Sequence, residues 1–123
     1  MRLRGVVDAK LDAVVQIRVR GPNGSELEVG AIIDTGFAGS LTLPDTVAVA
    51  LGLLKRNRGS ARLGDGTLRQ FDLYSAEVDW DGWQPVLASA IGRDPLIGMR
   101  LLAGHALRID VKPGGAVEIA PLS

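Results

Sequence analysis

The chain has no cysteine, which excludes a disulfide framework, thiolate chemistry and cysteine-ligated zinc. Histidine is represented once, by His105. A histidine-rich metal site is therefore excluded, and no complete Ser-His-Asp set can be read within one motif. Two Phe, one Tyr and two Trp are the whole aromatic complement, too few for a base-stacking platform. A net charge is also missing, because 14 basic residues balance 14 acidic ones. That argues against a whole-surface attraction to nucleic acid or anionic lipid. No apolar run approaches the ~20 residues of a membrane span, and the stretch from Met1 to Asp8 lacks a signal-peptide core. The expectation is a soluble cytoplasmic domain over residues 1–123 with no cofactor, no metal, no nucleic acid and no membrane partner.

What the chain does have is 46% apolar and 23% charged residues, a globular balance, punctuated by 16 glycines and six prolines. Val15, Ile17 and Val19 alternate with polar residues, the period-2 pattern of a half-buried strand. Gly21-Pro22-Asn23-Gly24 is a turn, and Leu27, Val29, Ala31 and Ile33 alternate along a second strand. The hairpin delivers the chain to Asp34. Leu41-Thr42-Leu43 is a short strand, and Pro44-Asp45 opens a helix to about Leu51 with Gly52 as its terminator. Further on, Arg58 to Leu63 and Thr67 to Val78 flank the tight turn Gly64-Asp65-Gly66. Trp80 to Trp83 turns the chain into a strand from Pro85 to Ala90. Leu96-Ile97-Gly98 reads as a buried strand leading into a short helix, Met99 to Ala103. Leu107, Ile109 and Val111 alternate before a turn at Pro113, and Val117 and Ile119 finish the pattern. The spacing predicts a mainly β domain with one or two short helices.

Asp34-Thr35-Gly36 carries the chemistry. Alone, such a tripeptide reads first as a polar turn with Asp34 as its local cap. Its context is an apolar strand before it, Leu41-Thr42-Leu43-Pro44 after it, and Leu96-Ile97-Gly98-Met99-Arg100-Leu101-Leu102 later in the chain. Together these resemble the retropepsin-like aspartic proteases along nearly the whole chain. The stretch from Asp34 to Leu41 (Asp-Thr-Gly-Phe-x-Gly-x-Leu) is similar to a small prokaryotic group of them. The resemblance implies an all-β closed barrel, with Leu96-Ile97-Gly98 crossing beside the catalytic loop and the turn from Leu63 to Thr67 as the tip of a flap hairpin. It also implies Asp34, Thr35 and Gly36 as the catalytic motif, with Phe37, Ala38, Gly64, Asp65 and Gly66 against a peptide substrate.

The family's chemistry needs two adjacent carboxylates that share one proton, so that one activates water while the other protonates the substrate carbonyl. The chain holds one such tripeptide. The dyad would then need Asp34 from each of two subunits, and the expected partners are a second copy of the chain and a peptide or protein substrate. Phe37 departs from the small or hydroxylated residue common after the motif, and its ring would line the cleft. Ala38, Gly39 and Met99 replace an acid–arginine arrangement seen in retroviral members, which leaves Arg100 one step away. These departures motivate an alternative, an inactive dimer of the same fold that binds peptide or serves as a scaffold. Lys55, Arg56, Arg58 and Arg62 form a basic cluster that reads by default as a solvated face. His105 reads as a surface or capping residue, Ser40 as a turn residue, and Trp80 and Trp83 as hairpin packing.

Overall fold

The computed structural model describes residues 2–62 and 64–123. Its strands are β1 (Leu3–Val7), β2 (Ala13–Arg20), β3 (Glu26–Ile33), β4 (Leu41–Thr42), β5 (Leu54–Arg62), β6 (Leu68–Asp79), β7 (Trp83–Ser89), β8 (Leu96–Ile97), β9 (His105–Ile109) and β10 (Ala116–Pro121). Two short helices, α1 (Asp45–Ala50) and α2 (Met99–Leu102), interrupt them. None of the described helices is long and apolar enough to cross a membrane.

Alternation does most of the construction. In β2, Val15, Ile17 and Val19 are buried while Gln16 and Arg18 are exposed, as one buried face of a pleated strand requires. β2 pairs antiparallel with β3 over seven residues, Val14↔Ile32 to Arg20↔Glu26. β3 then meets β8 in parallel, β8 meets β4 antiparallel, and β4 meets β7 in parallel. β7 and β6 form a hairpin, and the end of β6 returns to β2 at Val19↔Val78 and Arg20↔Glu77. The result is a closed barrel of six strands, filled by Val15, Ile17, Val19, Ala31, Leu41, Tyr74, Ala76, Val78, Ala88 and Ile97.

The closing seam has only two register pairs, and side chains outside the barrel reinforce it. Arg20 bonds Glu77 at 3.0 Å and Arg18 bonds Asp79 at 2.8 Å. The Asp79 hydrogen bond, with its charge and that of Glu26, raises the Arg18 pKa above its ordinary value. Both guanidinium groups also lie over the Trp83 ring, at 5.5 and 4.1 Å from its centroid. Each exposed ion pair contributes little alone, so the stacked arrangement is the relevant unit. Trp80, by contrast, is a core residue, 3% exposed. Both tryptophans are packing residues.

The helix after β4 begins with Pro44 at its N-cap, and Gly52 follows the Leu51 C-cap at φ +61°, the left-handed conformation glycine adopts without strain. β1 is the element the alternation did not announce. It lies between β2 and β10, and Gly5 interrupts its apolar face because a methyl group there would sit 2.0 Å from the Val14 carbonyl oxygen. Gly5→Ala should therefore lower stability by about 2 kcal/mol or more. Gly64→Ala, whose added carbon meets nothing within 4 Å, should change it by less than about 0.5 kcal/mol. Urea unfolding of the two variants measures the contrast.

Candidate active site

Ile33 ends β3 against Ile97, and the chain then leaves the sheet at Asp34. Four backbone hydrogen bonds tie the following loop to β8 and α2. Asp34 N–H donates to Ile97 O at 2.9 Å, Gly98 N–H to Ser40 O at 3.0 Å, Met99 N–H to Phe37 O at 2.8 Å and Arg100 N–H to Gly39 O at 3.2 Å. Such bonds demand close backbone approach. A methyl group on Gly98 would lie 2.1 Å from Gly39 O and 2.8 Å from Phe37 O, distances no side chain tolerates. Gly98 is the residue that lets strand and loop meet.

Within the loop, Gly36 N–H donates to Asp34 Oδ1 at 3.0 Å and Phe37 N–H to Asp34 O at 3.1 Å. The carboxylate thus closes a turn on itself and is held over the backbone. Gly36 assists, since a methyl group there would approach Asp34 Oδ1 to 3.3 Å. Asp34 is half-buried, whereas Thr35, Gly36 and Ala38 are exposed. The Phe37 ring folds back over its own loop: methyl groups on Gly39 and Gly98 would lie 2.6 and 2.5 Å from ring carbons. Two glycines make the space that this ring fills, and its other side stays partly exposed.

Thr42 is a positioning residue that the sequence pattern did not single out. It is 1% exposed in β4, where its hydroxyl donates to Asp94 O at 3.1 Å and accepts from Leu96 N–H at 2.9 Å. A buried hydroxyl needs such partners. Here they set the segment that enters β8, whose Pro95 O also accepts from Ile32 N–H at 2.9 Å. A threonine between two leucines in a buried strand was the available signal.

The hairpin β5–β6 carries Gly64, Asp65 and Gly66 at its tip, remote in sequence from the Asp34 loop. Leu63, assigned to the tip from sequence, lies outside the described residues. Asp65 Oδ1 accepts from the Thr67 hydroxyl at 2.6 Å and from Thr67 N–H at 3.0 Å. Gly66 takes φ +88°, and its carbonyl accepts from Arg62 Nη1 at 3.0 Å. The aspartate is thereby engaged in shaping the turn. Elsewhere, His105 Nδ1 lies 2.9 Å from Ala103 O, and its ring meets Trp80 edge-on at 5.8 Å. These two rings, Ser40, Gln84 and Arg100 line a hollow of about 430 Å³ beside α2. Among the described residues no cluster of three His, Asp or Glu could hold a metal.

The Thr67 hydroxyl, and then its N–H, hold the Asp65 pKa below the ordinary carboxylate value. A depressed carboxyl contributes its part of the turn's stability above its unfolded pKa and loses it as pH falls through the folded one. Thr67→Val removes the hydroxyl donor, so the Asp65 pKa should rise toward the ordinary value. An NMR titration of the Asp65 carboxyl carbon measures that shift.

No family model matches the chain, and no curated protein matches it. Among solved structures it is similar to the crystal structure of a retropepsin-like aspartic protease from Rickettsia conorii, with a TM-score of 0.59 and 18% identity. The match covers 98% of this chain and 93% of that one. A likeness of that extent at that identity is a statement about architecture. With its closed six-stranded barrel, two short helices and projecting hairpin, the chain has the retropepsin-like fold.

Proposed function

We propose that the chain is one half of a homodimeric aspartic endopeptidase, in which Asp34 of each subunit supplies one carboxylate of a proton-sharing dyad. The observation that carries this reading is the Asp34-Thr35-Gly36 turn itself. Its backbone is tied to β8 and α2, yet Thr35 and Gly36 are exposed in the single chain. A rigid polar turn left at the surface suits a site completed by a second copy across a two-fold axis. The assignment of chemistry rests on fold analogy together with this motif.

In the proposed mechanism the two carboxylates cannot both ionise at close range, so the pair holds one proton. The ionised member takes a proton from a water that attacks the peptide carbonyl carbon. The protonated member donates to the carbonyl oxygen. Collapse of the tetrahedral species breaks the C–N bond as the amine leaves with a proton. The pair titrates as a unit. Thr35 would sit at the dyad's base, while Phe37 and Ala38 would border the cleft. Gly64, Asp65 and Gly66 would lie over an extended peptide held by main-chain hydrogen bonds.

One observation favours a second reading. The residue after the motif is Phe37, whose ring packs on Gly39 and Gly98 and offers Asp34 no hydroxyl. The same dimer without hydrolytic capacity would be a peptide-binding module. Peptide-mixture cleavage followed by mass spectrometry separates the two, with subunit association recorded in parallel. Asp34→Asn should lower the cleavage rate by on the order of 10³-fold while the variant remains a folded dimer. Asp34-independent cleavage would overturn the mechanism. Peptide binding without products would establish the module.

A further inference from the structure

The zero net charge of the chain conceals a segregation. Residues 54–73 carry Lys55, Arg56, Arg58, Arg62 and Arg69 against Asp65 and Asp72. The hairpin therefore has a surplus of three positive charges, and the rest of the chain has the matching surplus of negative ones. Pleating decides where those charges go. Tyr74, Ala76 and Val78 of β6 are buried in the barrel. Continuing by twos, Asp72, Gln70 and Leu68 project from the same face. Their cross-strand partners Arg58, Ser60 and Arg62 share it. Lys55, opposite Tyr74, belongs there too, and its ammonium lies 3.2 Å from Asp72. Arg58 Nη1 donates to Gln70 at 3.3 Å on that face.

The face that runs on from the barrel interior thus presents three cations and one carboxylate. Asp72 is shared between Lys55 and Arg58, the latter at 3.6 Å. Arg62 bonds only a carbonyl, Gly66 O, and no carboxylate lies within 4 Å of it among the described residues. The hollow at the base of the hairpin, about 330 Å³, is charge-balanced, with Arg58 and Arg69 facing Asp45 and Asp72. The unmatched charge on this face lies farther out, at Arg62. On the opposite face Phe71 covers Gly59, and Arg69 shares that face by alternation.

We infer that the hairpin selects an extended peptide carrying Asp or Glu side chains, which pair with Arg62 and Arg58 as it lies beneath the tip. This rests on the reading of the chain as a peptide-handling dimer and adds the substrate class. The guanidinium fork suits carboxylates in bidentate geometry. Nucleic acid is the other polyanion such a surface can attract. However, Phe71, the one aromatic residue of residues 54–73, packs over Gly59, so a single ring is all the stacking surface the hairpin offers.

The experiment measures fluorescence anisotropy of labelled decapeptides that differ only by Glu→Gln replacements. They are bound to the Asp34→Asn variant of this chain, with its subunit association recorded, so that turnover does not interfere. The acidic peptide should bind about threefold tighter per glutamate, and 1 M salt should abolish the difference because the screening length falls to about 3 Å. Arg62→Gln should remove about one charge's worth of preference, and Arg62→Lys should keep most of it. Equal binding of acidic and neutral peptides, or binding of none, overturns the inference. So does an Arg62-dependent affinity for single-stranded RNA without any preference among peptides. Cleavage by the unsubstituted protein, assayed with the same peptides, reports separately on the protease reading. Acid preference without cleavage leaves this inference standing and removes that one.

Discussion

Strand β8 and the Asp34 loop must approach until backbone touches backbone, and that approach constrains everything around the site. Gly98 satisfies it with an ordinary extended-side φ of −103°, so the requirement is space and not backbone conformation. Any side chain there would meet Gly39 O, Phe37 O and the Phe37 ring together. Four backbone hydrogen bonds depend on the contact, and two of them lead directly into α2. The loop that bears the carboxylate is therefore built from the far end of the chain as much as from β3. Ile97, fully buried between β3 and β4, makes the same point in side-chain terms. The site's geometry is a tertiary product, and it exists only once the barrel has closed.

Closure itself is unequal around the ring. β2 with β3 and β6 with β7 are long antiparallel hairpins, local in sequence and able to form early. The parallel contacts β3–β8 and β4–β7 and the returning seam β2–β6 each involve two residue pairs. Short pairings between distant segments contribute few hydrogen bonds, so side chains hold them. Thr42 does this at β8, and the Arg18, Arg20, Trp83, Glu77 and Asp79 group does it at the seam. Buried Thr42 is the costlier of the two to disturb, because its removal strands Leu96 N–H in the interior. The exposed seam cluster can lose one member and keep the rest.

Much of this was legible before the structure. Strict alternation in β2 and β3 announced the first hairpin, and Gly64-Asp65-Gly66 announced the second. Pro44 and Gly52 bracketed α1 to within a residue, and Asp34-Thr35-Gly36 stood out as the motif on which the proposed function rests. β1 was hidden because Gly5 occupies the position where an apolar side chain would have completed the pattern. The fate of the Phe37 ring was equally hidden. Its packing on Gly39 and Gly98 joins positions sixty residues apart, and local periodicity carries no information about that. Thr42 was not singled out, because a two-residue strand is too short for its pattern to show that β4 is buried on both faces. The segregated charge was countable in the sequence, but placing Lys55, Arg58 and Arg62 on one face required the register between β5 and β6.

Rigidity and exposure meet at one turn, and their combination limits what the turn can be for. A loop that merely connects β3 to β4 would not require Gly36, Gly39 and Gly98 to give way around it. Nor would it require an aromatic ring folded onto its own backbone. Those features narrow the loop to one conformation before any ligand arrives, and ordering a site in advance lowers the entropy lost on binding. Thr35, at the turn's exposed end, is polar and short and lacks the apolar area that would stabilise an interface by burial. On the proposed reading, a second copy then meets this turn through geometry and hydrogen bonding, with burial supplied from elsewhere on the surface. The projecting hairpin follows the opposite logic. It is long, exposed and rich in charge, with its tip aspartate engaged by Thr67, and such segments populate the low-stability end of a fold. On the proposed reading, a fixed carboxylate and an exposed cationic arm would divide hydrolysis and selection between two parts of one chain.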